Sequence, residues 1–378
     1  MNPSSRFCPH SACSMHGQLG QHNIIVHSRK ERRFCCTTCG RTFAATKGTP
    51  YYRLHTEEAI FTQVITLLAH GCPLPAIVAA FGLDERTVAA WEQRAGRHCE
   101  QVHAAVVEQG QVAAAHVQAD ELWVKLVGRK LWMALAMAVG SQLWLGGEIS
   151  ARRDGDLIRE LAQRVRRCVA DLGILLCVDG FASYVTQFRQ VFRVPELRPA
   201  GSRGRPRLVL PPGFLLGVVV KSYQKQRLAA VSQQAREGTL AEIVARIQAT
   251  GGTMIHTAYV ERLNATFRSR LAGLVRRGRC LLRQHSRLRA GMYLVGSVYN
   301  FCAAHRSLRQ EQAAGLGRKW REQSPAMAAG LTDHQWTVSE LLHYLVAPTP
   351  PNLERLRGKY RKGAITSPRV PTRQRITV

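Results

Sequence analysis

The sequence predicts a multidomain chain. A small cysteine-rich module comes first, a three-helix domain second, and a larger α/β domain with a helical C-terminal part third. Three observations carry this reading. Five of the eleven cysteines fall within the first 39 residues. Residues 55–98 hold three short runs whose apolar residues recur at helical spacing, separated by Gly and Asp. From His116 to about Phe192, apolar runs of strand length alternate with amphipathic helical patterns.

Composition narrows the function classes. The chain has 378 residues and 46% hydrophobic residues, enough for two or three domains with real cores. Lys and Arg total 53 against 25 Asp and Glu, a formal charge of +28. Such a charge opposes compaction unless an anionic partner offsets it, and nucleic acid is the first candidate. The start, "MNPSSRFCPHSAC", lacks the apolar core of a signal peptide. Residues 131–147 carry no charge, but Gly140, Ser141 and Gln142 interrupt them. They read as two buried strands and a tight turn, with no membrane span. Clustered cysteines in a chain of this size suggest metal binding in a reducing compartment, so a cytoplasmic location is expected.

The first module, residues 1–50, contains "CPHSACSMHG" and "RRFCCTTCGRTF". Cys36 and Cys39 have zinc-knuckle spacing, and Gly40 permits a turn that aims backbone amides at the thiolates. Cys8 and Cys13 supply a second pair. Zn²⁺ takes four soft ligands in a tetrahedron, and a module this short needs such a staple. The register stays open: Cys35 could replace Cys36, and His10 or His16 could replace a cysteine.

Residues 51–98 follow. In "HTEEAIFTQVITLLAHG", Thr56 is expected to cap a helix, with Ile60, Val64, Leu67 and Leu68 on one face and Gly71 beyond its end. In "PLPAIVAAFGLDERTVAAWEQRA", a short helix ends at Gly82, Leu83 packs inward and Asp84 caps a second helix. Val88, Trp91 and Ala95 face inward there. A short helix, a glycine turn and a capped helix form the helix-turn-helix pattern. Its outer face would offer Arg86, Ala89, Gln93 and Arg94 to a major groove. A bundle that only packs would show the same spacing. Residues 99–115 read as a helical connector.

Three carboxylates stand out in the α/β part. Asp120 sits inside the strand-like "AAHVQADELWVKL", where an acid is costly unless paired. Asp179 ends the apolar run "ILLCVDGF", and functional groups gather at such strand ends. Glu261 heads the basic helix "YVERLNATFRSRLAGLVRR", whose seam is Val260, Leu263, Phe267, Leu271 and Leu274. Taken singly, each acid could be an ion-pair member, a cap or a first-turn acid. Converging, they would repel one another, and divalent metal would relieve that repulsion. Two Mg²⁺ about 4 Å apart can activate an attacking oxygen and stabilise a leaving one at a phosphodiester. Glu121 should point to the opposite strand face and stay outside such a triad. Asp154 and Asp156 look like caps, and Glu242 is a weaker rival third acid.

Residues 195–213 read as a loop rich in Pro, Gly and Arg; "RGRPR" within it resembles an AT-hook core, whose arginines line a narrow minor groove. A plain basic connector is the alternative. Residues 214–250 read as a strand and a helix, and residues 257–310 as helical and basic. Residues 347–378 hold eight Lys or Arg, one Glu and several prolines, which predicts a mobile basic tail.

This ordered set resembles the DDE transposases of bacterial insertion sequences, which have a ribonuclease-H-like catalytic core. More narrowly it is similar to the insertion-sequence-one type, which joins a zinc module and a helix-turn-helix to that core. The matching stretches are "CPHSAC", "RRFCCTTCGRTF", "QADELW", "VDGFASY", "YVERLNATFRSRLAGLVRR", "YNFCAAHRSL" and "SPAMAAGLTDHQW". The resemblance implies a zinc module at 1–50, a helix-turn-helix domain at 51–98 and a connector at 99–115. A catalytic domain at 116–310, a helical region at 311–346 and the tail would follow. It puts Asp120, Asp179 and Glu261 in the places of the two aspartates and the glutamate, holding Mg²⁺ or Mn²⁺. The structural Zn²⁺ would sit on Cys8, Cys13, Cys36 and Cys39. Asn264 and Arg268 would touch DNA beside the scissile phosphate. Arg262, Arg270, Arg276, Arg277 and Arg279 would line the backbone path. The implied partners are double-stranded DNA, as element ends and target, and further copies of the chain; the location would be cytoplasmic, on the nucleoid. The long gap between Asp179 and Glu261 departs from the pattern and requires an insertion or an extra strand.

Overall fold

The structure, a computed structural model, describes residues 1–199, 204–224, 227–274, 284–312 and 319–348. Arg276, Arg277, Arg279 and nearly all of the expected basic tail lie outside these residues. The chain divides into two compact units. One is Met1–Ala45 with Ala347–Val378, and the other is Thr46–Val346.

In the first unit β1 (Ile24–Ser28), β2 (Arg33–Cys36) and β3 (Thr42–Ala44) form an antiparallel meander. Alternation along β2 buries Phe34 and Cys36. Its small core holds Ile24, Phe34, Phe43 and Ala45 with Cys8, Cys13 and Cys36. Gly40 takes a φ of +69°, and its amide donates to the Cys36 carbonyl at 2.8 Å, which closes the expected turn.

The second unit opens with α1 (Glu58–Ala69), α2 (Leu74–Phe81) and α3 (Glu85–Val106). Gly82 ends α2 at a φ of +62°, and the Asp84 carboxylate accepts the Arg86 and Thr87 amides, as the sequence predicts. Two expectations fail. Glu57, not Thr56, is the N-cap of α1, and its buried face is Phe61, Val64, Ile65 and Leu68. Leu67 is exposed. The reason is aromatic packing: Phe61 lies between Tyr51 and Trp91, with ring centroids 5.4 and 5.2 Å away, and this fixes the rotation of the helix. The third helix is also not short. It runs 22 residues into the expected connector, because Cys99 and Val102 continue the inward stripe of Val88, Trp91 and Ala95.

Next come β4 (His116–Leu126), β5 (Arg129–Ala138), β6 (Leu143–Ser150), α4 (Gly155–Cys168), β7 (Leu175–Asp179) and α5 (Ala182–Phe192). Then β8 (Val194–Pro195) pairs with β9 (Leu208–Val209), so the expected loop contains a two-stranded ribbon. β10 (Leu215–Gln224) and β11 (Arg227–Glu237) precede α6 (Leu240–Ala249). The expected strand and helix over 214–250 are thus two strands and a helix. Polar "SQQARE" hid β11 because it is an edge strand with exposed side chains. The sheet order is β11-β10-β7-β4-β5-β6. β4, β7 and β10 are parallel, and the other pairs are antiparallel.

The expected basic helix is α7 (Ala258–Arg270). It stops at Leu271 and buries Val260, Leu263 and Phe267; Leu271 and Leu274 beyond its end are buried too. α8 (His285–Ser297) continues into a π-turn at Val298–Cys302. A β12 (Gln310–Glu311) and β13 (Trp320–Arg321) pair, α9 (Pro325–Ala328) and α10 (Val338–His343) follow. α4 and α5 cover one face of the sheet, and α6, α7 and α8 the other. Asp154 caps α4, as expected, and Asp156 pairs with Arg159 in its first turn. Glu242 closes a capping box with Thr239, which removes it as a rival third acid. One apolar core links the helical bundle to the sheet, from Tyr51 to Leu342. Among the described residues, no helix is long and apolar enough to cross a membrane.

Candidate metal centres and acidic cleft

Cys8, Cys13, Cys36 and Cys39 present sulfurs that all lie within 4.8 Å of one another. Cys8 and Cys39 are 3.7 Å apart and Cys13 and Cys36 3.9 Å. Four Zn–S bonds of about 2.3 Å at tetrahedral angles require separations of about 3.8 Å. The cluster can therefore hold a metal such as zinc. The thiols influence one another: burial pushes Cys8 up and Cys13 is raised too, whereas burial opposes ionisation of Cys36 but the Cys39 and Thr38 amides, with its neighbouring thiols, bring it down to about 7. The Asn23 side chain adds a donor at 3.4 Å. This closes the register left open by sequence. Cys35 points away, toward the Gly40 carbonyl at 3.7 Å, because β2 alternates. His10 lies edge-on to Phe43 and is outside the cluster, as is His16.

The second centre is built on the central strands. β4 carries Asp120 and Glu121 to neighbouring positions, and β7 delivers Asp179 at its C-terminal end. Carboxylate oxygens of these three lie within 4.8 Å of one another. Glu121 thus belongs to the acid group, against the expectation from alternation. Its partners do lie on the opposite face from those of Asp120. Tyr184 of α5 donates to Glu121 at 2.7 Å, whereas Asn264 of α7 donates to Asp120 at 2.7 Å. The length of the Glu side chain lets its carboxylate return to the site from the other side.

Glu261 stands apart from this trio. It lines the same cleft, of about 990 Å³, together with Asp120, Asp179, Arg153, Lys221, Asn264 and Arg268. Lys221 donates to it at 2.9 Å and the Thr257 hydroxyl at 2.8 Å. Burial works against ionisation, yet these two partners hold Glu261 below the usual carboxylate range. Asp120 is the opposite case. Burial first, then the charges of Glu121 and Asp179, push its carboxyl up to about 7. Burial and Asp179 also raise Glu121, against the hydrogen bonds from Tyr184 and Arg153. Arg153 bridges Glu121 and Asp179, with its guanidinium 4.3 Å from the Phe181 ring centroid. An all-oxygen donor set with excess negative charge fits a hard divalent cation such as Mg²⁺ or Mn²⁺.

Two side chains that sequence did not single out assemble the cleft. Gln118, fully buried on β4, accepts the Tyr259 and Val260 amides at 3.1 Å each and donates to the His256 carbonyl at 2.7 Å. It ties the first turn of α7, and so Glu261, to the strand of Asp120. Tyr184 is the other. Its only signal was its place in "VDGFASY", three residues into α5 from the Phe181 cap.

Several expected DNA contacts are corrected. Asn264 lines the cleft but is 1% exposed, and its side-chain amide donates to Asp120, so it orients an acid. Arg268 is half-buried and does line the cleft. Arg270 is partly buried, and burial lowers its pKa. On α3, Arg86 is exposed and Gln93 half-buried. Arg94 turns inward and donates to the Tyr52 carbonyl, so it ties the bundle together and is not free for a groove. Compared with known proteins, the chain matches no family model and no curated sequence.

Proposed function

We propose that this chain is a DDE-type DNA transposase. It would bind the terminal inverted repeats of an insertion sequence, cleave their 3′ ends and join them to target DNA. The observation that carries the reading is the cleft itself. Asp120 from a central strand, Asp179 from its parallel neighbour and Glu261 from a helix across the sheet open onto one space with Arg153, Lys221 and Arg268. The sheet supports a ribonuclease-H-like core. Three antiparallel strands, β6, β5 and β4, are followed outward by parallel β7 and β10, and the acids stand on β4 and at the end of β7. β11 supplies the extra strand that the Asp179–Glu261 gap requires.

A divalent cation held by Asp120 and Asp179 and reached by Glu261 would polarise the phosphodiester and lower the pKa of the attacking water. The chain's own groups do the rest. Asn264 holds one Asp120 oxygen and orients the other. Phe181 donates its amide to Asp179 at 3.0 Å and fixes that carboxylate. Glu121 accepts from Tyr184 and Arg153, and its carboxylate stands with Asp120 and Asp179 in the acid group that would hold the cation. Arg268 supplies charge along the DNA backbone, and Lys221 holds Glu261. Two element ends must meet, so a homo-oligomer is part of this reading.

The test uses labelled DNA flanking the gene, with Mg²⁺ or Mn²⁺, and compares wild type, Glu261→Gln and Glu121→Gln. The expected result is metal-dependent 3′ cleavage and joined products. Glu261→Gln should lose at least about 10³-fold in rate, while Glu121→Gln loses less. Specific binding without cleavage, equal in all three proteins, would replace this reading with a DNA-binding regulator. Cleavage without joined products would leave a nuclease.

A further inference from the structure

The ribbon β8–β9 is not used by the cleft. Its register pairs Val194 with Val209 and Pro195 with Leu208, and Glu196 donates to the Arg207 carbonyl at 2.8 Å. Continuing that register sets Leu197 opposite Pro206 and Arg198 opposite Arg205. The Arg198 side chain meets the Arg205 carbonyl at 3.0 Å, consistent with this pairing. Strand alternation then sorts the side chains. One face carries Arg198, Arg205 and Arg207, with Glu196 near the base. The other carries Pro195, Leu197, Pro206 and Leu208. Every described residue from Pro195 to Leu208 is exposed, Leu197 to 99%. Among the described residues of the ribbon, an exposed apolar face backs an arginine face.

Its position sets it apart from the acids. α5 leads away from Asp179 and spans roughly 16 Å at helical rise, and the ribbon follows it. The ribbon therefore lies toward the end of the sheet where β7 and β10 begin, paired at Leu175 and Leu215.

We propose that this ribbon is a second DNA-contact site, which enters the minor groove of A·T-rich duplex away from the cleft. The proposal rests on the reading of the chain as a DNA-acting protein. Narrow A·T minor grooves concentrate negative potential and attract arginine. Arg205 and Arg207 flank Pro206 in the exposed segment that leads into β9, and the continued register sets both on one side, which suits a groove floor.

The test is fluorescence anisotropy of the full chain, without added Mg²⁺, on A·T-rich and G·C-rich duplexes of equal length. Netropsin, a minor-groove ligand, serves as competitor. The proteins are wild type, Arg205→Ala/Arg207→Ala and Arg205→Lys/Arg207→Lys, each checked for an unchanged melting temperature. Wild type is expected to prefer the A·T duplex about tenfold and to be displaced by netropsin. The alanine pair should lose at least that factor on the A·T duplex and under threefold on the G·C duplex. The lysine pair keeps the charge but should lose the preference, since an ammonium lacks the planar fork. Equal losses on both duplexes, no netropsin effect, or variants that bind like wild type would overturn the proposal. A wild type that binds but never cleaves would remove the transposase reading and leave this site standing.

Discussion

Gln118 shows how much of the site hangs on single side chains. Its oxygen accepts two amides of the first turn of α7, and its nitrogen serves a carbonyl just before that helix. Gln118→Met keeps the volume and removes all three bonds. The buried Val260 amide would then lack an acceptor, at about 1–3 kcal/mol, and the part-buried Tyr259 amide would lose its partner at less cost. The expected result is a lower melting temperature and, on the proposed reading, a cleavage rate that falls while DNA affinity is nearly kept. Unchanged cleavage would remove Gln118 from the positioning of Glu261. Asp120 makes a second prediction, about pH. Its folded pKa of about 7 lies above its ordinary 3.8. Its favourable share of stability is therefore complete below about pH 3.8 and is lost as pH rises through about 7. A divalent cation binds the ionised form, so Mn²⁺ should raise the melting temperature more at pH 8 than at pH 5.5. Asp120→Asn should abolish that difference; an equal Mn²⁺ shift at both pH values would sink the assignment. Sequence singled out Asp120 and Asp179 because an acid in an apolar strand or at a strand end is expensive, and Glu261 because it is a lone acid at the head of a basic helix. Gln118, Tyr184 and the turned-back Glu121 were not legible, since their roles depend on partners about 60 to 140 residues away.

At the scale of elements, the least expected feature is the length of α3. Its C-terminal half leaves the helical triplet and packs on α8. The contact is close because Gly96 has no side chain: a Cβ there would lie 2.3 Å from the Ala290 carbonyl oxygen. Charge reinforces the join. Arg164 of α4 pairs with Glu108 beyond α3 and with Glu148 of β6, and Arg289 of α8 reaches Glu100 and Glu148. Gly96→Ala should force the helices apart and cost about 1–3 kcal/mol, read as a lower melting temperature or denaturant midpoint. A neutral result would mean that α8 shifts freely along α3. The stripe of Cys99 and Val102 could have revealed the long helix, but nothing local in "EQVHAAVVEQG" marks its end. The strands β4 to β7 were readable because they are buried and apolar. β11 was not, because an exposed edge strand carries no hydrophobic alternation.

At the scale of the whole molecule, two cores divide the work of stability. The second unit buries a large continuous core. The first has few apolar residues around its cysteines, too few to hold a fold without a staple. Binding free energy of a structural metal is then its folding free energy. One Zn²⁺ per chain is expected, and chelation should unfold the first unit while the main melting transition of the second shifts little. Thiol alkylation followed by mass spectrometry reads this residue by residue. With zinc bound, Cys8, Cys13, Cys36 and Cys39 should be protected, while half-exposed Cys35 and Cys72 react. After chelation the four should react together, because they lose one common ligand. Cys36→Ser should expose the other three in the same way, since three ligands leave the tetrahedron open. Alkylation of the four at equal rates with and without chelator would mean that no metal holds them. The same experiment settles the register chemically, because Cys35 and Cys36 are adjacent in sequence yet should differ in reactivity, on opposite sides of one strand.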